Sequence, residues 1–215
     1  MEDTFPHVNY ILLVIAALIP IANPFSTAPL FISMTSDLSK ADRNQIALLA
    51  TTYMFIILVV FLLLGAVLLN FFGISLPALR IAGGLIVAFI GFQMLFGNED
   101  KASAKAHHDV KSMAFTPLAM PMLSGPGSIA VIMSMAVRVS EAGSLSNQLM
   151  GYFVVIVGIA ITAIICWLVL TASARVIQFM GPSGIDALTK IMGFLLTSIG
   201  VQFVITGFKG LGVLS

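Results

Sequence analysis

Two proline-rich stretches decide the fold of this chain: Pro20-Ile-Ala-Asn-Pro24-Phe-Ser-Thr-Ala-Pro29 and Pro117-Leu-Ala-Met-Pro121-Met-Leu-Ser-Gly-Pro126. The prolines of the second stretch follow those of the first at a constant displacement of 97 residues. Proline lacks an N–H and clashes with the carbonyl four residues back, so three in succession break or strongly kink a helix. Because both stretches lie in long apolar segments, they predict two discontinuous helices at corresponding places in a duplicated chain.

The composition is that of an integral membrane protein. The 215 residues are 59% hydrophobic and 9% charged, with a mean hydropathy of +1.09, whereas soluble domains carry about 25% charged residues. This composition argues against a soluble enzyme and against a nucleic-acid-binding protein. The single cysteine, Cys166, excludes an intrachain disulfide, and we expect it to pack as a small apolar residue within a span.

The uncharged intervals of the chain predict six membrane-spanning helices. Each interval accommodates one helix of about 20 residues, and none accommodates two with a turn. The predicted spans are 9–35, 45–70, 78–97, 114–137, 149–171 and 188–208. The predicted fold is therefore an all-α membrane protein in which helices 1 and 4 are broken at proline and glycine.

A second correspondence predicts two repeats of three helices. Arg80-Ile-Ala-Gly83 matches Lys190-Ile-Met-Gly193, and one position out of step Gly91 and Gln93 match Gly200 and Gln202. We place the repeats at 1–98 and 112–215, joined by a cytoplasmic polar loop at 99–111, within a single integral membrane domain. Since three is an odd number, the second repeat enters the membrane from the opposite side. Inverted repeats with broken helices are typical of secondary transporters.

Six spans place both termini on one side of the membrane. The basic residues on that side are Arg80, Arg138 and Lys209, against Lys40, Arg43, Lys101, Lys105, Lys111, Arg175 and Lys190 on the other. The excess of positive charge predicts that the second side is cytoplasmic and that both termini are periplasmic. We interpret His107-His108-Asp109 as part of a solvated loop, because no further metal ligands lie at workable spacing.

The two breaks predict a substrate site near the middle of the bilayer. Irregular backbone is tolerated there only inside protein or along a wet cavity, so we expect the breaks to meet. Each resuming half-helix presents N–H groups and the positive end of a dipole, which suits a carboxylate. The alternative is that the prolines only kink two helices for packing. The predicted binding residues are Asn23, Pro24, Ser26, Thr27, Ser124, Gly125, Pro126, Gly127 and Ser128.

Four further side chains are candidates for the transport pathway. Gln93 and Gln202 either bind substrate or hydrogen-bond across helices. Arg80 and Lys190 either snorkel to the interface or capture a substrate carboxylate at opposite mouths. We expect all nine acidic residues in termini or loops and no histidine in a span, which argues against a carboxylate or histidine proton relay.

Glycines recur every seven residues in the last two spans. They are Gly151 and Gly158 in the fifth span, and Gly193, Gly200 and Gly207 in the sixth. Small residues let helix backbones approach closely in membranes. This pattern predicts close helix packing rather than a ligand site.

These segments together resemble the MarC family of bacterial inner-membrane proteins, which is grouped with small neutral amino acid transporters. The resembling segments are 19–24, 29–31, 79–91, 117–121, 124–127, 192–196 and 200–202. The resemblance covers both repeats and implies a six-span inner-membrane protein and, for some relatives, uptake of glycine, alanine or serine. Relatives often have glycine after Asn/Asp-Pro-x, where this chain has Ser26.

The sequence thus favours a secondary transporter or facilitator of small neutral amino acids (glycine, alanine, serine) or of similar small solutes. An exporter of amino acids, metabolites or drugs is the alternative, and a non-transporting membrane scaffold or membrane enzyme is the lesser one. We expect no enzymatic activity, no metal and no cofactor. The expected partners are a small-molecule substrate and membrane lipid, without nucleic acid. The coupling ion, Na⁺ or H⁺, and homo-oligomer formation are left open.

Overall fold

The computed structural model describes residues 6–35, 37–96, 114, 118, 123–141 and 143–212. Within these residues the chain forms helices and contains no strand, which confirms the predicted all-α class. The helices are α1 (Pro6–Ala22), α2 (Pro24–Met34), α3 (Lys40–Phe71), α4 (Leu76–Phe96), α5 (Pro126–Ser140), α6 (Leu145–Thr171) and α7 (Ser173–Gly210).

Four helices in the described part of the chain are long and apolar enough to cross a membrane. They are α3, α4, α6 and the Ser183–Gly210 portion of α7. Two shorter apolar helices, Asn9–Ala22 within α1 and Pro126–Ser140, accompany them. Multi-pass membrane insertion follows from these lengths. The first and fourth predicted spans correspond to the shorter helices, and their complete crossing stays a prediction.

The first span leaves helical geometry at Asn23, between α1 and α2. Asn23 has φ +37°, in the left-handed region that asparagine adopts more readily than most residues. Its N–H still donates to the carbonyl of Ile19 at 2.9 Å. Pro24 has no N–H for the carbonyl of Pro20, so the hydrogen-bond ladder is interrupted at this point.

In the second proline stretch the helix resumes later than in the first. Gly125 caps α5 and Pro126 is its first residue, where the fixed φ of proline suits a helix start. Pro29, which corresponds to Pro126, lies inside α2. Alanine precedes Pro29 and glycine precedes Pro126. Because glycine is the poorer helix former, the chain is less able to stay helical before Pro126.

Polar residues begin the two long helices that carry no proline. Ser39 caps α3 by accepting a hydrogen bond from the N–H of Asp42. Ser144 caps α6 by accepting from the N–H of Asn147. Such caps satisfy N–H groups that have no partner within the helix. They mark where α3 and α6 begin.

The sixth span begins earlier than the predicted residue 188. Its apolar portion starts at Ser183, and α7 itself extends further toward the N-terminus, to Ser173. Gly181 interrupts it at φ +65° and ψ 173°, a conformation open to glycine. Asp186 then lies within the helix, and Asp42 lies in the first turn of α3. The prediction that all acidic residues lie in termini or loops is therefore wrong. Asp186 is tolerated because its side chain is 56% exposed and pairs with Lys190 at 2.8 Å, one turn away.

The closest helix pair is α4 with α7, which run antiparallel. A Cβ on Gly84 would lie 2.6 Å from the carbonyl oxygen of Gly200, and one on Gly91 would lie 2.6 Å from that of Gly193. A Cβ on Gly207 would lie 2.9 Å from the carbonyl oxygen of Pro77. Only glycine permits backbones to approach this closely. The predicted packing role of the heptad glycines is confirmed, and we call this α4–α7 interface the glycine seam.

The remaining helices pack around a core of large aliphatic side chains. α6 contacts α1, α2 and α3, and α5 lies between α3 and α4. Gly158 of α6 packs against Val14, and Gly151 packs against Val139, as their spacing predicts. Cys166 is buried and unpaired, which confirms its predicted packing role. Large apolar side chains such as Phe89, Phe153 and Phe194 are exposed on the outer surface, as a lipid-facing surface requires.

Three basic residues that the sequence assigns to one side of the membrane lie close together in the structure. Arg80 at the start of α4 donates to Ser134, one turn before Arg138 in α5. Gly210, next to Lys209, packs against Pro77 at the start of α4. These three basic residues therefore share one end of the molecule. The polar loop 99–111 with His107-His108-Asp109, and the boundary of the second repeat at residue 112, lie outside the described residues.

Candidate functional site

The two interruptions of helical structure lie next to each other. A Cβ on Gly127, in the first turn of α5, would lie 3.0 Å from Cγ2 of Ile21, in the last turn of α1. The same atom would lie 2.7 Å from Cγ2 of Val87 in the middle of α4. Asn23 follows Ile21 by two residues, and Gly125 precedes Gly127 by two. We call this meeting point of α1, α2, α4 and α5 the break junction.

The predicted binding residues at the junction are polar, neutral and mostly buried. Asn23 is 6% exposed, Thr27 5%, and Ser124 and Ser128 are fully buried. Pro24, Gly125 and Gly127 are also buried, whereas Pro126 is exposed. The side chain of Ser26 lies outside the described residues. Among described residues, none of the buried side chains carries a formal charge, so any ligand here meets hydrogen-bonding groups and dipoles alone.

Two hydroxyls at the junction donate to backbone carbonyls beside the breaks. Oγ1 of Thr27 donates to the carbonyl of Asn23 at 3.2 Å. Oγ of Ser128 donates to the carbonyl of Leu123 at 3.3 Å. Such bonds satisfy carbonyls at a place where hydrocarbon offers no partner. The sequence predicted these hydroxyls as ligand groups, and the structure gives each a partner in the backbone.

The side-chain amide of Asn23 reaches across to α4. Its Nδ2 donates to Sδ of Met94 at 3.4 Å. This contact ties the residue of unusual φ to a neighbouring span. Nothing in the sequence pointed to Met94, because a thioether among aliphatic residues carries no distinguishing pattern.

The start of α5 brings main-chain donors to the junction. The N–H groups of a helix's first turn have no intrahelical carbonyl to bond, and they carry partial positive charge. At α5 these groups follow Gly125, which has no side chain to cap them. Gly127 and Ser128, in the first turn, are buried. This local environment favours an anionic group such as a carboxylate.

Of the two basic pathway candidates, only Arg80 turns toward the protein. Its Nε donates to Oγ of Ser134 at 3.3 Å, and it lies within electrostatic range of Arg138 and Glu141. Lys190 instead pairs with Asp186 on its own helix, with 54% of its side chain exposed. The two residues match in sequence, yet they occupy different surroundings.

The two glutamines face away from the break junction. Gln93 and Gln202 are both exposed, and Nε2 of Gln202 lies 3.4 Å from the hydroxyl of Thr206 on the same helix. The structure therefore does not bring them together with the buried residues of the junction. Within the described ranges, no group of three or more His, Cys, Asp or Glu side chains is placed to hold a metal ion.

Comparison with known proteins agrees with the architecture described above. Residues 8–211 match the family described as "MarC family integral membrane protein". The chain belongs to the MarC family. Inner membrane protein MarC of Salmonella paratyphi B and that of Salmonella typhimurium are each 40% identical to it over 96% of both chains. MarC of Escherichia coli O1:K1 is 39% identical over the same share.

Membership in the MarC family places this chain in a bacterial inner membrane as a multi-pass protein. The sequence-based recognition of the family is confirmed over nearly the whole chain. No solved structure matches it significantly. The names of these relatives state a location in the inner membrane and no substrate.

Proposed function

We propose that this MarC-family protein is a secondary transporter or facilitator of small neutral amino acids, such as glycine, alanine and serine, or of similar small solutes. The observation that carries the proposal is the meeting of two helix interruptions at a buried, uncharged, polar junction. Ile21 and Gly127 bring the end of α1 and the start of α5 into contact there. Irregular backbone at membrane depth is tolerated where it lines a cavity or is buried in protein.

The junction suits a zwitterion. A substrate carboxylate finds the N–H groups at the start of α5, and an ammonium group finds backbone carbonyls near Asn23 and Leu123. Neither interaction needs a buried charge on the protein. Gly125 and Gly127 favour small substrates, because glycine lets a ligand approach the main chain closely.

Reciprocal contacts in the glycine seam support an inverted-repeat architecture. Gly84 and Gly193 are displaced by 109 positions, as are Gly91 and Gly200. The contact of Gly84 with Gly200 and that of Gly91 with Gly193 are exchanged by this displacement. A two-fold axis between two repeats requires such an exchange. Transporters built from such repeats bind substrate at the repeat interface.

The second set of seam contacts follows the same rule. A Cβ on Gly91 would lie 2.5 Å from the backbone nitrogen of Thr197, and a Cβ on Gly200 would contact the backbone nitrogen of Ala88. Ala88 and Thr197 are again displaced by 109 positions. The second set of contacts is thus also exchanged between the two halves, as a two-fold axis requires.

Gly127 packs against Ile21 and Val87 in this structure, which leaves no room for a side chain there. Substrate passage therefore requires the ends of α1 and α5 to separate. We infer that α1 and α2 of the first repeat move relative to α5 of the second while the glycine seam holds. Rocking of one repeat against the other around a fixed site gives alternating access.

Flux measurements test the proposal directly. Radiolabelled glycine, alanine or serine is added to proteoliposomes containing the full chain, with and without imposed sodium and proton gradients. Gradient-driven, saturable accumulation supports secondary transport and identifies the coupling ion, and saturable equilibration supports a facilitator. Preloaded vesicles reveal export. Absence of protein-dependent flux of glycine, alanine and serine in folded protein would overturn the proposal.

Substitutions at the junction separate binding from folding. Thr27→Val and Ser124→Ala remove hydroxyls from the buried junction, and we expect each to lower glycine flux at least tenfold by raising KM or lowering kcat. Thr52→Val is the matched control, because Thr52 makes the same bond to the carbonyl four residues back on an exposed surface. Ser198→Ala is the exposed serine control. Equal flux in junction and control variants would contradict the assigned site.

A further inference from the structure

An amphipathic groove opens between α1, α5 and α6, away from the break junction. It encloses about 630 Å³. Its walls are apolar and include Leu13, Met135 and Met150. Gly151 and Val139 meet at its floor, where a Cβ on Gly151 would lie 2.9 Å from Cγ1 of Val139. Leu13 and Met150 are exposed, so the groove opens on the outer surface of helices that belong to predicted spans.

Polar groups are found at one end of the groove only. Arg138 and Asn147 lie there, on either side of the α5–α6 connection, and Tyr10 of α1 completes the rim. Arg138 is exposed, and among the described residues it makes no hydrogen bond or ion pair. Arg80 lies nearby, within electrostatic range of Arg138 and Glu141, so among the described residues this end of the groove carries more positive than negative charge.

The position of the groove restricts its occupant. Contact between water and the apolar walls is unfavourable. An acyl chain instead fills the groove and makes the dispersion contacts that an empty groove would lack. A guanidinium at the membrane interface pairs well with phosphate, and amide and phenol groups add hydrogen bonds. An anionic diacyl phospholipid has both parts in the required order, with its phosphate at the interface and its chain along the helices.

We propose that this groove is a binding site for an anionic phospholipid, with an acyl chain between α1, α5 and α6 and the phosphate at Arg138 and Asn147. The proposal does not depend on the transport activity proposed above. The bound lipid would contact α1 near its start and α5 near its end. These are the parts of the two helices that lie away from the break junction.

A second groove provides an internal comparison. It lies between α3 and α6, encloses about 420 Å³ and is lined by residues that include Thr51, Phe55 and Trp167. None of its lining residues is charged. Trp167 is the only tryptophan of the chain. Lipid in this neutral groove has no cation to select its head group, so its occupancy should not depend on head-group charge.

Quenching of tryptophan by brominated lipids tests the proposal. The full-length double variant Trp167→Phe/Met150→Trp carries its one tryptophan in the charged groove. It is reconstituted in bilayers of brominated phosphatidylcholine with increasing brominated phosphatidylglycerol of identical chains. We expect phosphatidylglycerol to bind about fivefold more tightly than phosphatidylcholine, the preference that one interfacial cation supplies. Trp167 in the unsubstituted chain should be quenched equally by both lipids.

Two further substitutions assign the preference to one residue. Adding Arg138→Gln should bring the two lipids to parity, whereas Lys209→Gln, an exposed cation at the same end, should leave the preference intact. Native mass spectrometry of the unsubstituted chain and its Arg138→Gln and Lys209→Gln variants checks phosphatidylglycerol retention without a new tryptophan. Parity in the chain that retains Arg138, persistence of the preference in Arg138→Gln, or absence of quenching at position 150 by either lipid would overturn the proposal.

Discussion

Asn23 shows how one residue sets the geometry of the break junction. Its φ of +37° is unfavourable for side chains in general, and asparagine tolerates it better than most. Its N–H continues the α1 ladder, its carbonyl accepts from Thr27, and its amide reaches Met94. The residue therefore ends one helix and starts the next without leaving its own main chain unsatisfied.

Substitution of Asn23 separates conformational strain from side-chain contact. Asn23→Ala should lower the free energy of unfolding by about 1–2 kcal/mol, the cost of left-handed backbone for an L side chain. Asn23→Gly should be more stable than Asn23→Ala, because glycine adopts this φ freely. Thermal unfolding in detergent gives the order of the two variants.

Asn44 supplies the matched control for this comparison. It is exposed and lies inside α3, where glycine costs about 1 kcal/mol relative to alanine. The order of stability at Asn44 should therefore be the reverse of that at Asn23. The same order at both sites would mean that the left-handed conformation of Asn23 does not determine its stability.

At this scale the sequence predicted the location of the breaks but not their hydrogen bonds. Prolines and their spacing are local signals, and in the structure α2 begins at Pro24 and α5 begins at Pro126. The partners of Thr27 and Ser128 depend on which carbonyls the breaks release. That choice follows from the position at which each helix resumes, which differs between the two stretches.

The glycine seam dominates at the scale of elements. Its contacts join backbone to backbone, so no side-chain rotation can make room for an added methyl group. Gly200→Ala should cost about 1–3 kcal/mol of stability, the usual penalty of overpacking. Gly65→Ala should cost less, because its nearest neighbour is the flexible side chain of Met133, at 3.1 Å. Thermal unfolding of both variants in the same detergent measures the difference, and equal losses would contradict rigid backbone contact in the seam.

Heptad spacing was sufficient to predict that glycines pack, and insufficient to name the partner helix. The match between the third and sixth spans came from a comparison of repeats, and it pairs positions that correspond rather than positions that touch. The actual contacts, such as Gly84 with Gly200, join non-corresponding positions. The early start of α7 was missed because its first residues are neither strongly apolar nor proline-rich, and only Gly181 marks the change in direction.

At the scale of the whole molecule, the charge pattern predicts orientation in the membrane. The structure places Arg80, Arg138 and Lys209 at one end. The smaller number of basic residues at that end predicts that it is periplasmic. In a Cys166→Ser background, we expect a membrane-impermeant maleimide to label Glu141→Cys in intact cells and to leave Ala41→Cys unlabelled. Both positions are exposed, so labelling of Ala41→Cys alone would reverse the orientation.

Family and location were predictable from the sequence because both depend on features spread along the whole chain. A prediction from the length of the apolar segments, the distribution of charge or the repeated prolines still holds when the bounds of a single helix are misplaced. The candidate site is predicted from the sequence only as a region, since burial and hydrogen bonding at Asn23, Thr27, Ser124 and Ser128 depend on three-dimensional packing. The sequence contained no pattern that predicts the amphipathic groove between α1, α5 and α6, because its walls combine residues from three helices that are distant in sequence.

The reciprocity of the glycine seam also bears on the history of the chain. In an isologous dimer, residue i of one copy contacts residue j of the other, and residue j of the first contacts residue i of the second. The seam contacts follow this pattern. Two separate copies of a three-helix unit could have paired through this interface before any peptide joined them. Gene fusion would then have added only a connection between partners that already recognised each other. The divergence of Ser128 from Phe31, and of Met120 from Asn23, would have become possible once each half had its own coding sequence.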